Sequence, residues 1–372
     1  MRADLDTLSP TGKRAIDPAA PMAMRALAAK GVLPGASPAE IVLVITYFAR
    51  GDDASLSQIA RDTLRSLPDP ILTGALSANL PSQVIEELVP NYGRDPEAVL
   101  KLLRMPRMGN EALCALAQGA SQQIAELIAT NETLLLKYPE AIEKLYMNKA
   151  TRMSTADRLL DLAVRNHIEL NIPAFKQAAE AILGQTMSEP MLKGDADPDK
   201  VFEEIDRLAE QLSATLADTE DTHRIDDEGK EVVVEKMVPL YAQIANMSVT
   251  QKIRRATLGT SAERLLLVRD TNRLVATAAA SSPMLNENDA ARIAVSRAVS
   301  EDVLRIIARN PEFTRSYQVK LNLVLNPRTP FTFSSRILPL LRDNDVRLMT
   351  KSKNVPSAIQ SAARNMIARK QR

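Results

Sequence analysis

Few residues in this chain are of types that do chemistry. It has one cysteine, Cys114, and two histidines, His167 and His223, so a Cys/His zinc cluster lacks ligands and a four-cysteine site is arithmetically excluded. Cys114 sits in the apolar run Leu113-Cys114-Ala115-Leu116, which marks a packed structural thiol and not an activated thiolate. His167 follows a helix end, where a cation is mildly favoured, and His223 falls among acids that keep it solvated. Asp195-Ala196-Asp197-Pro198-Asp199 alternates like a calcium loop. Its sixth position, however, is Lys200 where glycine is required, and its twelfth is Asp206 in place of glutamate, so the string reads as a helix cap. The 12 glycines include no two separated by a single residue, which excludes G-x-G-x-x-G, and G-x-x-x-x-G-K is absent as well. With 46 acids, carboxylate pairs are always available for glycosidase-like chemistry, and nothing in the pattern selects one. These readings predict a chain that is not an enzyme, with no catalytic, cofactor or metal site.

The positive lead is cationic. Arg254, Arg255, Arg264, Arg269, Arg273, Arg297, Arg305, Arg309, Arg342, Arg347, Lys351 and Lys353 recur near helix ends, with Arg315 among them. Stacked repeats align equivalent helix ends, so these residues are expected to form a basic edge. The net charge of +1 conceals their concentration. Residues 1–184 hold 19 Lys/Arg and 21 Asp/Glu, residues 185–240 hold 6 and 16, and residues 241–372 hold 22 and 9, for net charges of −2, −10 and +13. The three segments predict an acidic connector between two domains, and the connector is expected to fold back over the basic domain and compete with an acidic partner.

The elements that must position these residues are helical. Trp is absent and only 6 Tyr and 6 Phe are present, too few to cover pleated sheet surfaces, so the core falls to Leu, Ala, Ile, Val and Met. The longest apolar run, Ile41 to Ala49, is broken by Thr46 and is far shorter than the ~20 residues of a spanning helix, so no membrane insertion is expected. The charged start Met1-Arg2-Ala3-Asp4 lacks a secretory h-region, and the single cysteine suits a reducing compartment, so a cytoplasmic location is expected.

Residues 1–36, punctuated by Pro10, Pro18, Pro21, Pro34 and Gly35, read as a flexible arm with one short helix near Met22 to Lys30. Ser37-Pro38-Ala39-Glu40 opens the ordered part, with Glu40 placed to reach back to the cap. From 37 to 184 short helices repeat, among them Ser82 to Asn91, Ser121 to Asn131 and Thr155 to Asn166. The closing asparagines suit the left-handed conformation of a helix C-terminus. Within 185–240, Val201, Ile205, Leu208, Leu212 and Leu216 form the apolar seam of one amphipathic helix, and Gly229 before Val232-Val233-Val234 suggests a small hairpin. From 241 to 372 helices open at Thr260-Ser261-Ala262-Glu263 and Ser300-Glu301-Asp302 and close at Pro283, Pro311, Pro327 and Pro356.

This succession of short Leu/Ala-rich helices broken by Asn-Pro resembles the α-solenoid group that includes HEAT and leucine-rich-repeat-variant arrays. Lys252-Ile253-Arg254-Arg255, Leu265 to Asp270, Leu274-Val275-Ala276, Asn326-Pro327-Arg328-Thr329-Pro330 and Lys353-Asn354-Val355-Pro356 are similar, over roughly 240–370, to bacterial helical-repeat proteins of uncharacterised function. The resemblance implies an all-α solenoid of short helix pairs in two stacks joined by the acidic connector, and it implies no activity. The function expected is a cytoplasmic scaffold or adaptor whose basic edge holds a protein partner, an acidic one where charge decides. The alternative is nucleic acid bound through the same edge by phosphate contacts, since base stacking lacks aromatics. A remoter one is a HEAT-like helical-repeat hydrolase or glycosylase, which needs an acid beside a basic, aromatic-lined cleft.

Overall fold

In a computed structural model of the 372-residue chain, residues 5, 8–187, 199–200, 204–209, 222–225, 231–352 and 355–370 are described. The fold is all-α, with about 70% of the described residues helical. The first of two compact units, Met1–Leu170, holds α1 (Pro10–Ile16), α2 (Met22–Ala29), α3 (Pro38–Ala49), α4 (Ala54–Arg65), α5 (Asp69–Leu76), α6 (Ser82–Tyr92), α7 (Pro96–Leu103), α8 (Asn110–Gln118), α9 (Gln122–Ala129), α10 (Glu132–Lys137), α11 (Pro139–Met147) and α12 (Met153–Arg165). The second, Asn171–Arg372, holds α13 (Phe175–Met187), the strands β1 (His223–Ile225) and β2 (Glu231–Val233), then α14 (Val238–Ala245), α15 (Val249–Leu258), α16 (Ser261–Leu267), α17 (Arg273–Ala280), α18 (Glu287–Val295), α19 (Glu301–Arg309), α20 (Tyr317–Leu325), α21 (Phe331–Ile337), α22 (Asp343–Met349) and α23 (Ser357–Lys370).

The unit boundary falls earlier than the charge-based boundary at 184/185. The reason is packing, because α13 lies against α15 and α17 and so belongs with the second unit. Residues 1–36 likewise do more than trail as an arm. α1 and α2 both pack on α3, with Ala15, Ala28, Ala29 and Leu33 buried, and Ser9 donates from its amide (2.9 Å) and its hydroxyl (2.5 Å) to Oε1 of Glu40. Glu40 therefore clasps the N-terminal segment and leaves the cap of α3 to the Ser37 hydroxyl. The apolar run from Ile41 is the centre of the first unit: Ile41 to Thr46 and Phe48 are buried on every side of α3, as befits a helix surrounded by other helices.

Helices contact their successors and the helix after next. In the first unit α4, α6, α8 and α11 touch in series, as do α5, α7, α9 and α12; in the second, α15, α17 and α19 form one series and α16, α18 and α20 another. One four-element arrangement occurs in both units. In the first it is α8, α9, α10 and α11, and in the second α18, α19, the 3₁₀ turn Phe313–Arg315 and α20. Each closes on an Asn-x-x-Thr segment. Asn148 donates its amide to the carbonyls of Ala117 (3.1 Å) and Ala120 (2.8 Å), at the end of α8. Asn326 does the same with Ala294 (2.8 Å) and Ser296 (2.7 Å), at the end of α18. The final carbonyls of a helix have no intrahelical donor, so a side-chain amide from another helix both satisfies them and fixes the spacing of the two helices.

The closing asparagines Asn91, Asn131 and Asn166 are not left-handed caps. Asn91 lies inside α6, Asn131 (φ −95°) and Asn166 (φ −92°) have negative φ, and among the described non-glycine residues only His167 and Ala174 have positive φ. The connector forms the small hairpin its glycine and valines suggested: β1 and β2 pair antiparallel, with Arg224 opposite Val232. Of its amphipathic helix, residues 204–209 are helical and bury Ile205 and Ala209, while Val201, Leu212, Leu216 and the Asp195–Pro198 part of the calcium-like string lie outside the described residues.

Candidate functional site

Burial divides the predicted basic edge. Arg254, Arg255 and Arg264 are buried, and the side chain of Arg269 is 12% exposed, so these four are withdrawn from an exposed stripe. Their charges are met inside the second unit. Arg255 donates from Nε to Glu263 Oε1 (2.6 Å) and from Nη1 to Asp206 Oδ1 (2.5 Å). Glu263, itself fully buried, also completes the capping box of α16 by accepting from the amide of Thr260 (2.6 Å). Arg264 donates to the carbonyl of Gly259 (2.5 Å) and lies 3.9 Å from Asp289, whose other oxygen accepts from the Ser261 hydroxyl (2.6 Å). Burial lowers the pKa of Arg264, and Asp289 and Glu263 oppose that shift.

The remaining basic positions are at the surface. Arg273, Arg297, Arg309, Arg342, Arg347 and Lys351 are exposed and Arg305 is half-buried; Lys353 lies outside the described residues. Arg273 pairs with Asp302 (2.7 Å), and Arg305 is shared between Glu301 (2.6 Å) and Asp302 (2.7 Å). Arg309 and Arg342 lie over the rings of Phe333 (5.8 Å) and Tyr317 (4.6 Å). A short link joins α18 to α19, so Arg297 stands near the start of α19 while Arg309 closes it, about 13 Å away along a nine-residue helix. Arg328, which the sequence reading did not single out, joins the Arg297 side by donating to the carbonyls of Ala298 (3.3 Å) and Val299 (3.1 Å).

On that side lies a polar contact between connector and helices. Glu231, at the start of β2, receives Arg269 Nε (3.1 Å) and the Ser296 hydroxyl (2.6 Å) on Oε2, and the backbone amide of Arg297 (2.7 Å) on Oε1. Burial would raise the pKa of its carboxyl. The Ser296 hydroxyl, the Arg297 amide and Arg269 outweigh burial and hold it below the usual value. His223, on the paired strand, is depressed to about 4 by burial first and Arg269 second, against Glu231. It is therefore a neutral, partly buried ring at pH 7 and not the solvated histidine expected. Nothing in the sequence around Glu231 distinguishes it from the 15 other acids of residues 185–240; its role depends on contacts with residues far along the chain.

Elsewhere the reactive types are structurally engaged. Cys114 is half-buried with Sγ 3.3 Å from Asn110 Oδ1, and burial, then Glu140, pushes its thiol pKa upward, which disfavours the thiolate. His167 holds φ 56° just past α12, with Ile168 donating to the carbonyl of Ala163 and His167 to that of Val164, a Schellman termination. The first unit has a cleft of about 410 Å³ lined by Arg25, Tyr47, Phe48, Arg50, Asp52 and Asp53. Arg50 there is tied to Glu86 and Glu87, and Asp53 caps α4. Among the described residues no group of three or more His, Cys, Asp or Glu is placed to hold a metal ion, and no helix is long and apolar enough to cross a membrane.

No protein-family model, curated protein or solved structure matches the chain.

Proposed function

We propose that the protein is a non-catalytic scaffold or adaptor of the cytoplasm, built as an α-solenoid, whose second unit holds an acidic partner protein. The observation that carries this reading is the set of exposed cations Arg297, Arg309, Arg342 and Arg347, which remains after the buried acids have taken Arg255 and Arg264. Series of helices that touch in succession are the pattern of repeat arrays, and such arrays act through extended surfaces and not through enclosed pockets. The acids near the cations are partly committed. Asp302 serves Arg273 and Arg305, and Asp345 accepts from the Tyr317 hydroxyl.

The test uses the full-length protein immobilised beside a variant carrying Arg297→Glu, Arg309→Glu, Arg342→Glu and Arg347→Glu, each challenged with nuclease-treated cell extract. The expected result is one or more acidic proteins retained by the first and lost from the second. Equal retention overturns the reading. Retention of nucleic acid from untreated extract, falling steeply between ~50 and ~200 mM salt, replaces it with phosphate binding.

A further inference from the structure

The contact at Glu231 has two parts that are built separately. The donors belong to the helical part of the second unit: Arg269 follows α16, and Ser296 and Arg297 link α18 to α19. Each is held by something other than the carboxylate. Arg269 Nη1 donates to the carbonyl of Leu265 (2.6 Å), the Ser296 hydroxyl accepts from the amide of Ala298 (3.3 Å), and the Ser296 carbonyl is fixed by Asn326 (2.7 Å). Three donors thus converge on one carboxylate from a frame that stands without it, which is preorganisation for an anion.

The occupant is less securely built. Glu231 comes from a hairpin of two three-residue strands, a unit too small to be stable alone. Val232, Val233 and Val234 are only half-buried. Beside the cradle Val295 is 60% exposed, Leu325 is exposed, and Arg297 and Arg328 are exposed cations.

We propose that the cradle of Arg269, Ser296 and the Arg297 amide is a recognition site for a glutamate on an extended, valine-like segment of a partner protein, occupied in the free molecule by Glu231 as an internal stand-in. The proposal rests on the scaffold reading and specifies its partner: an acidic residue followed by apolar ones in strand conformation, which displaces β2 and meets Val295 and Leu325. β2 then gates the site by competition. A partner must outbind a carboxylate that is already present at high effective concentration.

The experiment uses the full-length protein with Glu231→Gln, and as probe a labelled synthetic peptide of residues 230–236 together with its twin carrying glutamine at the position of Glu231. By fluorescence anisotropy the variant is expected to bind the glutamate peptide about tenfold or more tightly than the wild type does. It should prefer that peptide to the glutamine twin by a similar factor and lose it when Arg269→Ala is added. Equal binding by wild type and variant, or no discrimination between the peptides, overturns the proposal. If Glu231→Gln melts at a lower temperature than the wild type, the wild type decides the matter through hydrogen exchange. Saturating glutamate peptide should release the amide of Val234, which bonds the Thr222 carbonyl, and unchanged exchange at saturation refutes displacement. The outcome is separable from the scaffold test. Charge-dependent capture without peptide discrimination leaves the scaffold and removes the cradle, and peptide discrimination without capture does the reverse.

Discussion

The two units solve the same packing problem with different buried polar groups. Both contain the four-element arrangement closed by an asparagine, at Asn148 and at Asn326. In the first unit the buried polar side chains among the described residues are neutral: Thr46, Ser57, Thr151 and Thr155. The second buries Arg254, Arg255, Glu263, Arg264 and Asp289. A neutral hydroxyl can bond the carbonyl of its own helix and be satisfied, as Thr257 does to Ile253, whereas a buried charge must find a partner from another element. The first unit thus depends on shape and the second on specific pairings. A consequence is that the excess positive charge of residues 241–372 overstates what the surface presents.

The largest effect expected from breaking this contrast is at Glu263. Glu263→Gln removes the buried carboxylate from Arg255, 3% exposed, and also weakens the cap on Thr260. Breaking a buried pair from one side costs about 3–5 kcal/mol, and urea denaturation of the full chain should show a loss of that order in the second unit's transition, with the first unchanged. Replacing both members, Arg255→Met with Glu263→Met, should recover a large part of it, because no lone charge is left buried. If the single and double variants are equally damaged, packing and not charge pairing is what the site contributes.

Next in size is the element the units share. Asn326 is 4% exposed, so Asn326→Ala strands the Ala294 and Ser296 carbonyls away from water and should cost about 2–3 kcal/mol. Asn148 is half-buried, water can reach its partners, and Asn148→Ala should cost about 1 kcal/mol. Thermal melts of the two variants rank them directly. A reversed order would show that the bridge matters more in the neutral unit than in the charged one.

What could be read from the sequence follows the range of the interactions concerned. Helices and their starts are local, and the Thr260 to Glu263 box and the Ser300 cap lie where their spacing placed them. The closing asparagines were misread as left-handed caps and the bridge at Asn326 went unseen, because it bonds carbonyls 30 and 32 residues away and no local pattern reports that. Arginine was misread more seriously. Arg254 and Arg255 follow Ile253 on α15, and charge alone suggested solvent, yet the acids that let Arg255 be buried are 8 and 49 residues distant. The Glu231 cradle is the extreme case, joining residues 38 to 66 apart.

A smaller, reversible perturbation separates the units by pH. His223 is depressed to about 4 from an ordinary 6.5, so the proton is bound more weakly with the hairpin in place than without it. The stability this contributes is full above pH 6.5 and is lost as pH falls from there toward 4. Glu231, held below 4.5 in the docked state, adds its own loss only below that value. Hydrogen exchange at Val234, corrected for its intrinsic pH dependence, should therefore quicken between pH 6.5 and 4.5 while the amides of α8 and α11 do not respond. The slope should be smaller than ~1.4 kcal/mol per pH unit because the ring is only partly buried. His223→Asn should flatten it, with Arg269 and Glu231 the charged groups facing the ring.

The smallest effect isolates the first unit. His167 is exposed and ends α12 in the left-handed region at φ 56°, a conformation that costs a side-chain-bearing residue about 1–2 kcal/mol and glycine almost nothing. Glycine also loses more freedom on folding, about 0.4–1 kcal/mol, so the two terms leave His167→Gly stabilising by roughly 0.5–1 kcal/mol. The corresponding segment of the second unit stops differently: α21 passes into the 3₁₀ turn Leu338–Leu340, containing Pro339, and leaves in extended conformation at Leu341 (ψ 157°). That end has no strain to relieve. His167→Gly should therefore raise the first unit's melting transition and leave the second where it was. A fall in the first transition would mean that the imidazole itself, and not the backbone it sits on, is what the Schellman turn requires.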